Sequence, residues 1–148
     1  MKSVQLRDVS ENLFSLKHMF FKVFGKPVQF NSKITPLAYF ILQQLRDQPT
    51  LSMTEISNKL GIPKPNVTVL VDKLIVQKLA ERISDKTDRR IVMIKLTKKG
   101  SGFLDTSRKK YHTQVADKLS LLPEKEQKNF ADALTTIKNT LTVLENIG

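Results

Sequence analysis

Cysteine is absent from the chain. Disulfides and thiolate chemistry are therefore excluded. Glycine is scarce, with 5 in 148 residues, and no phosphate-binding glycine loop or zinc motif appears. Histidine is nearly as rare: His18 and His112 stand far apart in sequence. No Ser/His/Asp spacing accompanies them. They could meet in the fold and join carboxylates as a metal site, or simply lie partly exposed on helices. No apolar run is long enough for a transmembrane helix. The N-terminal stretch MKSVQLRDVSENLF reads as amphipathic and polar rather than as a signal peptide. These absences argue against an enzyme, imply no cofactor or metal, and favour the cytoplasm.

Positive charge is abundant instead. The formal net charge is +11, and it is unevenly spread. Residues 1–51 hold 7 Lys/Arg and 3 Asp/Glu, residues 52–100 hold 11 and 5, and residues 101–148 hold 7 and 6. The excess concentrates in the middle, as a polyanion partner requires. General solubility or attraction to an anionic membrane are the alternatives. No long basic amphipathic helix with a broad apolar face supports the membrane.

Within that middle third, LAERISDKTDRRIVMIKLTKKG reads as a β-hairpin with a basic tip. Leu79–Ser84 and Arg90–Leu96 are the expected strands, the second rich in Val, Ile and Met. Asp85, Lys86, Thr87, Asp88 and Arg89 fill the connection, where Asp and Thr can bond nearby backbone. A bare turn needs no adjacent Arg89 and Arg90. On a narrow ribbon such a pair suits a DNA minor groove, where negative potential concentrates. A solvated charged hairpin is the alternative.

The preceding segment carries a capping-box pattern, Ser52-Met-Thr-Glu55, ahead of Ile56 and Leu60 at helical spacing. Gly61 should stop that helix. After a short turn Pro63 is expected to open a second helix at its first position, and Pro65 is tolerable among first-turn amides that lack partners. Val67, Leu70, Val71 and Leu74 form its apolar stripe. Lys64, Asn66 and Thr68 lie off that stripe near its N-terminus. Two short helices around a glycine-containing turn make a helix-turn-helix. With the basic hairpin added, the pattern is a winged helix.

Through these residues the chain resembles the MarR family of winged helix-turn-helix transcriptional regulators. Thr35-Pro-Leu-Ala-Tyr39 with Ile41-Leu42 is similar to the start of the family's second helix. Leu51 to Ser57 with Leu60-Gly-Ile62 is similar to its third. Val67 to Leu74 resembles the recognition helix. Asp88-Arg-Arg90, Leu96-Thr97 and Gly100 resemble the wing and the start of the fifth helix. Three positions depart from the family pattern: Val69 stands where relatives carry Arg, Lys78 where they carry Gly, and Ala38 where they often carry Gln. A left-handed backbone at residue 78 would strain a lysine. Some relatives sense oxidants through cysteine, which this chain lacks.

The ends carry a different pattern. Val9, Leu13, Leu16, Phe20 and Val23 repeat at helical spacing. Phe130, Leu134, Ile137, Leu141 and Leu144 alternate steps of four and three, a heptad seam. Gly102–Leu122 reads as one long helix, broken by Pro123. The resemblance implies that these terminal helices intertwine with a second subunit. A monomeric core around the same stripes is the alternative. The expected fold is mainly α (α+β). A winged helix-turn-helix spans residues 33–101, and a helical dimerisation module comprises 1–32 and 102–148.

The expected function is sequence-specific binding of double-stranded DNA by a homodimer, on pseudo-palindromes with half-sites about 10–10.5 bp apart. Such a regulator would act as a repressor relieved by a small ligand, with activation the alternative. Lys64, Pro65, Asn66, Thr68, Lys73, Lys86, Asp88, Arg89 and Arg90 form the candidate interface. Asn can pair with adenine, Lys can donate to guanine, and the Thr methyl can meet thymine. The resemblance places Arg90 in the minor groove, with Asp88 orienting an arginine. It also implies a small-molecule effector pocket, for which Phe20, Phe24, Tyr39 and Tyr111 are candidates, each also a plausible core residue. The dimer contact would use Val9, Leu13, Leu16, Phe130, Leu134, Ile137, Leu141 and Leu144. Use of the winged helix on RNA or protein, and metal-responsive regulation, are the competing functions.

Overall fold

The computed structural model describes residues 3–25, 34–84 and 91–147, with side chains from Leu6 onward. The elements in chain order are α1 (Ser3–Phe24), α2 (Pro36–Asp47), β1 (Thr50–Ser52), α3 (Met53–Leu60), α4 (Lys64–Val76), β2 (Ala80–Ser84), β3 (Val92–Leu96), α5 (Lys98–Leu119) and α6 (Glu124–Ile147). The chain divides into two compact units, Met1–Lys26 with Tyr111–Gly148, and Pro27–Lys110.

The central unit is a winged helix. Thr35 caps α2, its hydroxyl accepting the Ala38 amide at 3.2 Å, and Pro36 fills a first-turn position that needs no donor. Ile41, Leu42 and Leu45 then face inward. They meet Ile56 of α3, Val67, Val71 and Leu74 of α4, Ile94 of β3 and Leu104 of α5 in one buried cluster. The sheet is antiparallel in the order β1-β3-β2, and its register pairs Leu51 with Ile94 and Arg82 with Ile94 on either side.

β1 is absent from the sequence expectation for a physical reason. Three residues are too few to show alternation, and Ser52 ends the strand while also capping α3. The hairpin strands are also shorter than expected. The Leu79 amide bonds to the Leu74 carbonyl at 2.9 Å and its carbonyl accepts Thr97 N–H at 3.1 Å, so Leu79 completes a turn instead of starting β2. β3 begins at Val92, after a bend at Ile91. Arg90, its expected first residue, lies outside the described residues.

α5 begins at Lys98, four residues before the expected Gly102, because Thr97 provides a cap. Its hydroxyl accepts the Gly100 amide at 3.0 Å and donates to the Lys78 carbonyl at 2.7 Å. The helix ends at Leu119, and a turn through Ser120–Leu122 precedes Pro123. Gly100 is required here by contact. A Cβ would sit 2.1 Å from the Leu79 carbonyl oxygen. Arg46 holds α2 to the start of α5. Its guanidinium donates to the Ser101 carbonyl at 2.9 Å and pairs with Asp105 at 2.9 Å.

The terminal unit consists of α1, the later part of α5, and α6. Phe20, Phe24 and Phe130 form a trio of tilted rings with centroids 5.6–6.1 Å apart. The Gln114 amide donates to the Phe24 carbonyl at 2.8 Å. Little else in this unit is covered. α6 has no buried residue over its full length.

Candidate nucleic-acid interface

The helix-turn-helix is built by local chemistry. Ser52 and Glu55 close a reciprocal capping box: the Glu55 amide donates to Ser52 Oγ at 3.2 Å, and the Ser52 amide to Glu55 Oε2 at 2.7 Å. Those hydrogen bonds hold the Glu55 carboxyl below the usual glutamate range, backbone donation from Ser52 first and its side chain second. α3 stops at Gly61, whose φ of 62° is left-handed and carries no Cβ penalty. Ser57 Oγ then donates to the Ile62 carbonyl at 2.6 Å and fixes the turn.

α4 starts one residue later than the sequence suggested. Pro63 is the N-cap, not the first helical residue, with extended backbone at ψ 145°. The residue before Pro65 is Lys64, so two prolines bracket the helix start and limit how early it can begin. The Pro63 carbonyl accepts the Asn66 and Val67 amides.

Val67, Val71 and Leu74 are wholly buried, and Leu70 is half-buried. The opposite side is open. Lys64, Pro65, Asn66, Asp72 and Lys73 are exposed, and Thr68 is half-buried. The Thr68 hydroxyl donates to the Lys64 carbonyl at 3.0 Å, so its proton is used within the helix. Val69 and Val76 are 55% and 82% exposed on this open side.

Asp72 pairs with Arg82 of β2 at 2.5 Å, both half-exposed. The pair joins the outer side of α4 to the wing strand. Sequence reasoning passed over it. The available signal was an acid on the polar side of a helix of otherwise basic character, and an arginine opposite the buried Ile94 in the hairpin. Lys95 and Glu81 face each other across the strands at 4.0 Å. Lys86, Asp88, Arg89 and Arg90, the expected wing tip, lie outside the described residues.

The end of α4 is anchored to α5. Lys78 adopts φ 61°, the left-handed conformation that sequence comparison with the family pattern anticipated at this position. Its carbonyl is held by Thr97, and Lys99 Nζ donates to the neighbouring Gln77 carbonyl at 2.9 Å.

The residues expected to face a partner or an effector fall in both units. Val9, Leu13, Leu134, Ile137, Leu141 and Leu144 are exposed, at 38–58%. Leu16 is half-buried. An apolar groove of about 410 Å³ runs between Val9, Leu13, Leu16 and Met19 of α1 and Ile137 of α6. Phe130, from the same seam, packs on Phe20 and Phe24. Tyr111 is half-buried on α5. Tyr39 belongs to the winged-helix unit, where its ring meets Phe103 edge-on at 6.4 Å. Burial raises its hydroxyl pKa, against the opposing charges of Arg46 and Arg108. His18 and His112 are exposed. Among the described residues no three His, Cys, Asp or Glu side chains gather as metal ligands, and no helix is long and apolar enough to cross a membrane.

Comparison with known proteins agrees with this geometry. Residues 32–91 match the model of the MarR family. The uncharacterized HTH-type transcriptional regulator YsmB of Bacillus subtilis is 26% identical over 95% of this chain and 98% of its own length. The HTH-type transcriptional repressor MdtR of the same organism is 28% identical over 62% of this chain and 61% of its own. Among solved structures, the transcriptional regulator Tm0710 of Thermotoga maritima superposes with a TM-score of 0.68 at 26% identity, covering 95% of this chain and 96% of that one. A winged helix with a basic, solvent-facing second helix and relatives that are regulators rather than enzymes lead to one conclusion: residues 32–91 match the MarR family, and the chain is similar to its DNA-binding transcriptional regulators.

Proposed function

We propose that two copies of the chain pair through α1 and α6 and bind pseudo-palindromic double-stranded DNA, each placing α4 in a major groove. The observation that carries this reading is the pair of unsatisfied faces. No residue of α6 is fully buried, and Leu134, Ile137, Leu141 and Leu144 along it remain 38–58% exposed. α4 turns Lys64, Asn66 and Lys73 to solvent. Exposed apolar stripes of this size call for a partner helix, and polar residues at the start of a second helix are placed to reach base edges.

In this reading Asn66 pairs with a base edge, while Lys64 and Lys73 supply base or phosphate contacts. Arg89 and Arg90, which lie between β2 and β3 in sequence, enter the flanking minor groove, with Lys86 on phosphate and Asp88 orienting an arginine. A dimer spanning two successive grooves would occlude a promoter, and the relative MdtR carries the name of repressor. Repression in the cytoplasm is therefore the regulatory sense proposed. An effector that relieves it would find aromatic surface around Phe20, Phe24 and Tyr111.

The test is a specificity profile on randomised duplexes, for the parent and for Asn66→Ala. The substitution should relax preference at one or two positions per half-site, at a cost of about 1–3 kcal/mol of discrimination there. Coincident profiles would show that α4 does not read the groove. Structured RNA as competitor separates the other use of this fold: RNA that displaces duplex at equal concentration would contradict the assignment to DNA.

A further inference from the structure

Directly opposite the buried stripe of α4, the middle of the open side is apolar. Val69 is 55% exposed there, one turn beyond the exposed Pro65 and two turns before Val76. Asn66 and Lys73 flank it on one side, and Asp72 and Thr68 on the other. The polar residues expected to read bases therefore border a strip whose centre is a branched hydrocarbon. Among the described residues nothing covers it.

We infer that Val69 is a specificity-determining residue, and that it meets the 5-methyl group of a thymine in the major groove. This rests on the docking of α4 proposed above. In the major groove thymine alone among the four bases presents a methyl group. An apolar side chain facing base edges would leave donors and acceptors of other bases without partners. Two local features sharpen the choice. The Thr68 hydroxyl is spent on the Lys64 carbonyl at 3.0 Å, so it is a poor competitor for a base edge. Asp72, one turn beyond Val69, is neutralised by Arg82, so no free carboxylate stands beside the contact. A long cationic side chain at position 69 would reach a phosphate or guanine; valine cannot. The half-site should thus contain a thymine that is read by shape and hydrophobicity.

The experiment takes a duplex selected from sheared genomic DNA by the full-length protein and replaces its thymines one at a time with deoxyuridine. This removes the methyl and leaves pairing and the O4 acceptor intact. Burial of one methyl predicts a loss of about three- to fivefold at one thymine per half-site. Val69→Ala should bind the original duplex more weakly and lose that sensitivity, while Val69→Thr, which keeps a methyl in the same place, should retain it. An exposed site makes all three proteins equally able to fold. A flat deoxyuridine scan, or one whose sensitive position persists in Val69→Ala, overturns the inference. If Asn66→Ala still alters specificity in that case, the docking of α4 stands and only the role of Val69 falls. If neither change alters specificity, the docking itself has failed.

Discussion

Gly100 is fixed by what surrounds it. A Cβ would lie 2.1 Å from the Leu79 carbonyl oxygen and 2.7 Å from Leu96 Cδ1, and the first of these is backbone that cannot rotate away. Gly100→Ala should therefore cost about 1–3 kcal/mol by overpacking. Chemical denaturation would show this as a lower midpoint at constant slope, and an unchanged midpoint would mean that α5 starts differently. Glu55 gives a second residue-level prediction. Its folded pKa lies below the ordinary value of 4.5 because Ser52 donates to it. The stabilisation is then complete above that value and is lost as pH falls through the lower folded pKa. Stability of the parent should decline in that acidic window more steeply than stability of Glu55→Gln, which keeps an acceptor but does not titrate. Parallel curves would show that the capping box contributes no pH dependence. Both the capping box and the left-handed Gly61 were legible in the sequence, because capping and helix termination are written in neighbouring residues. The Asp72–Arg82 pair was not, since its partners meet only once the hairpin folds onto α4.

At the scale of elements, periodic stripes located the helices, while the ends were decided by tertiary contacts. Thr97 moved the start of α5 to Lys98 by capping it, and Pro63 became a cap because two prolines crowd the start of α4. β1 is held by three residues on β3 and has no sequence signal of its own. α6 presents the clearest mismatch between sequence and surroundings: a heptad seam that, beyond Phe130, stays 38–58% exposed. If a second copy supplies the cover, Leu134→Glu combined with Leu141→Glu places charges in an apolar contact without partners. Sedimentation velocity of the parent at micromolar concentration should give twice the chain mass of 16.9 kDa, and the double variant should dissociate or unfold. A parent that sediments as a monomer would contradict the pairing.

For the whole molecule, the division of labour follows from where apolar surface is satisfied. The winged-helix unit closes its own core through α2, α3, α4, the sheet and the first turns of α5, so it can present α4 as a rigid element. Among its described residues the terminal unit closes its aromatic trio and leaves long stripes open. In the proposed reading, net positive charge, greatest between residues 52 and 100, would supply affinity for any duplex, and the outer side of α4 would supply the choice among them. The family resemblance was legible because four short motifs occur in order at their proper spacing. The contacts proposed to select one operator were less so, since Val69 departs from the family pattern and its 55% exposure became evident only in the fold. The central claim is that two such units read DNA together, and selection of bound fragments from sheared genomic DNA by the purified protein tests it most directly. The account predicts enrichment of a pseudo-palindrome with half-site centres about 10–10.5 bp apart. Enrichment of a single asymmetric half-site, bound as tightly alone as in tandem, would contradict it.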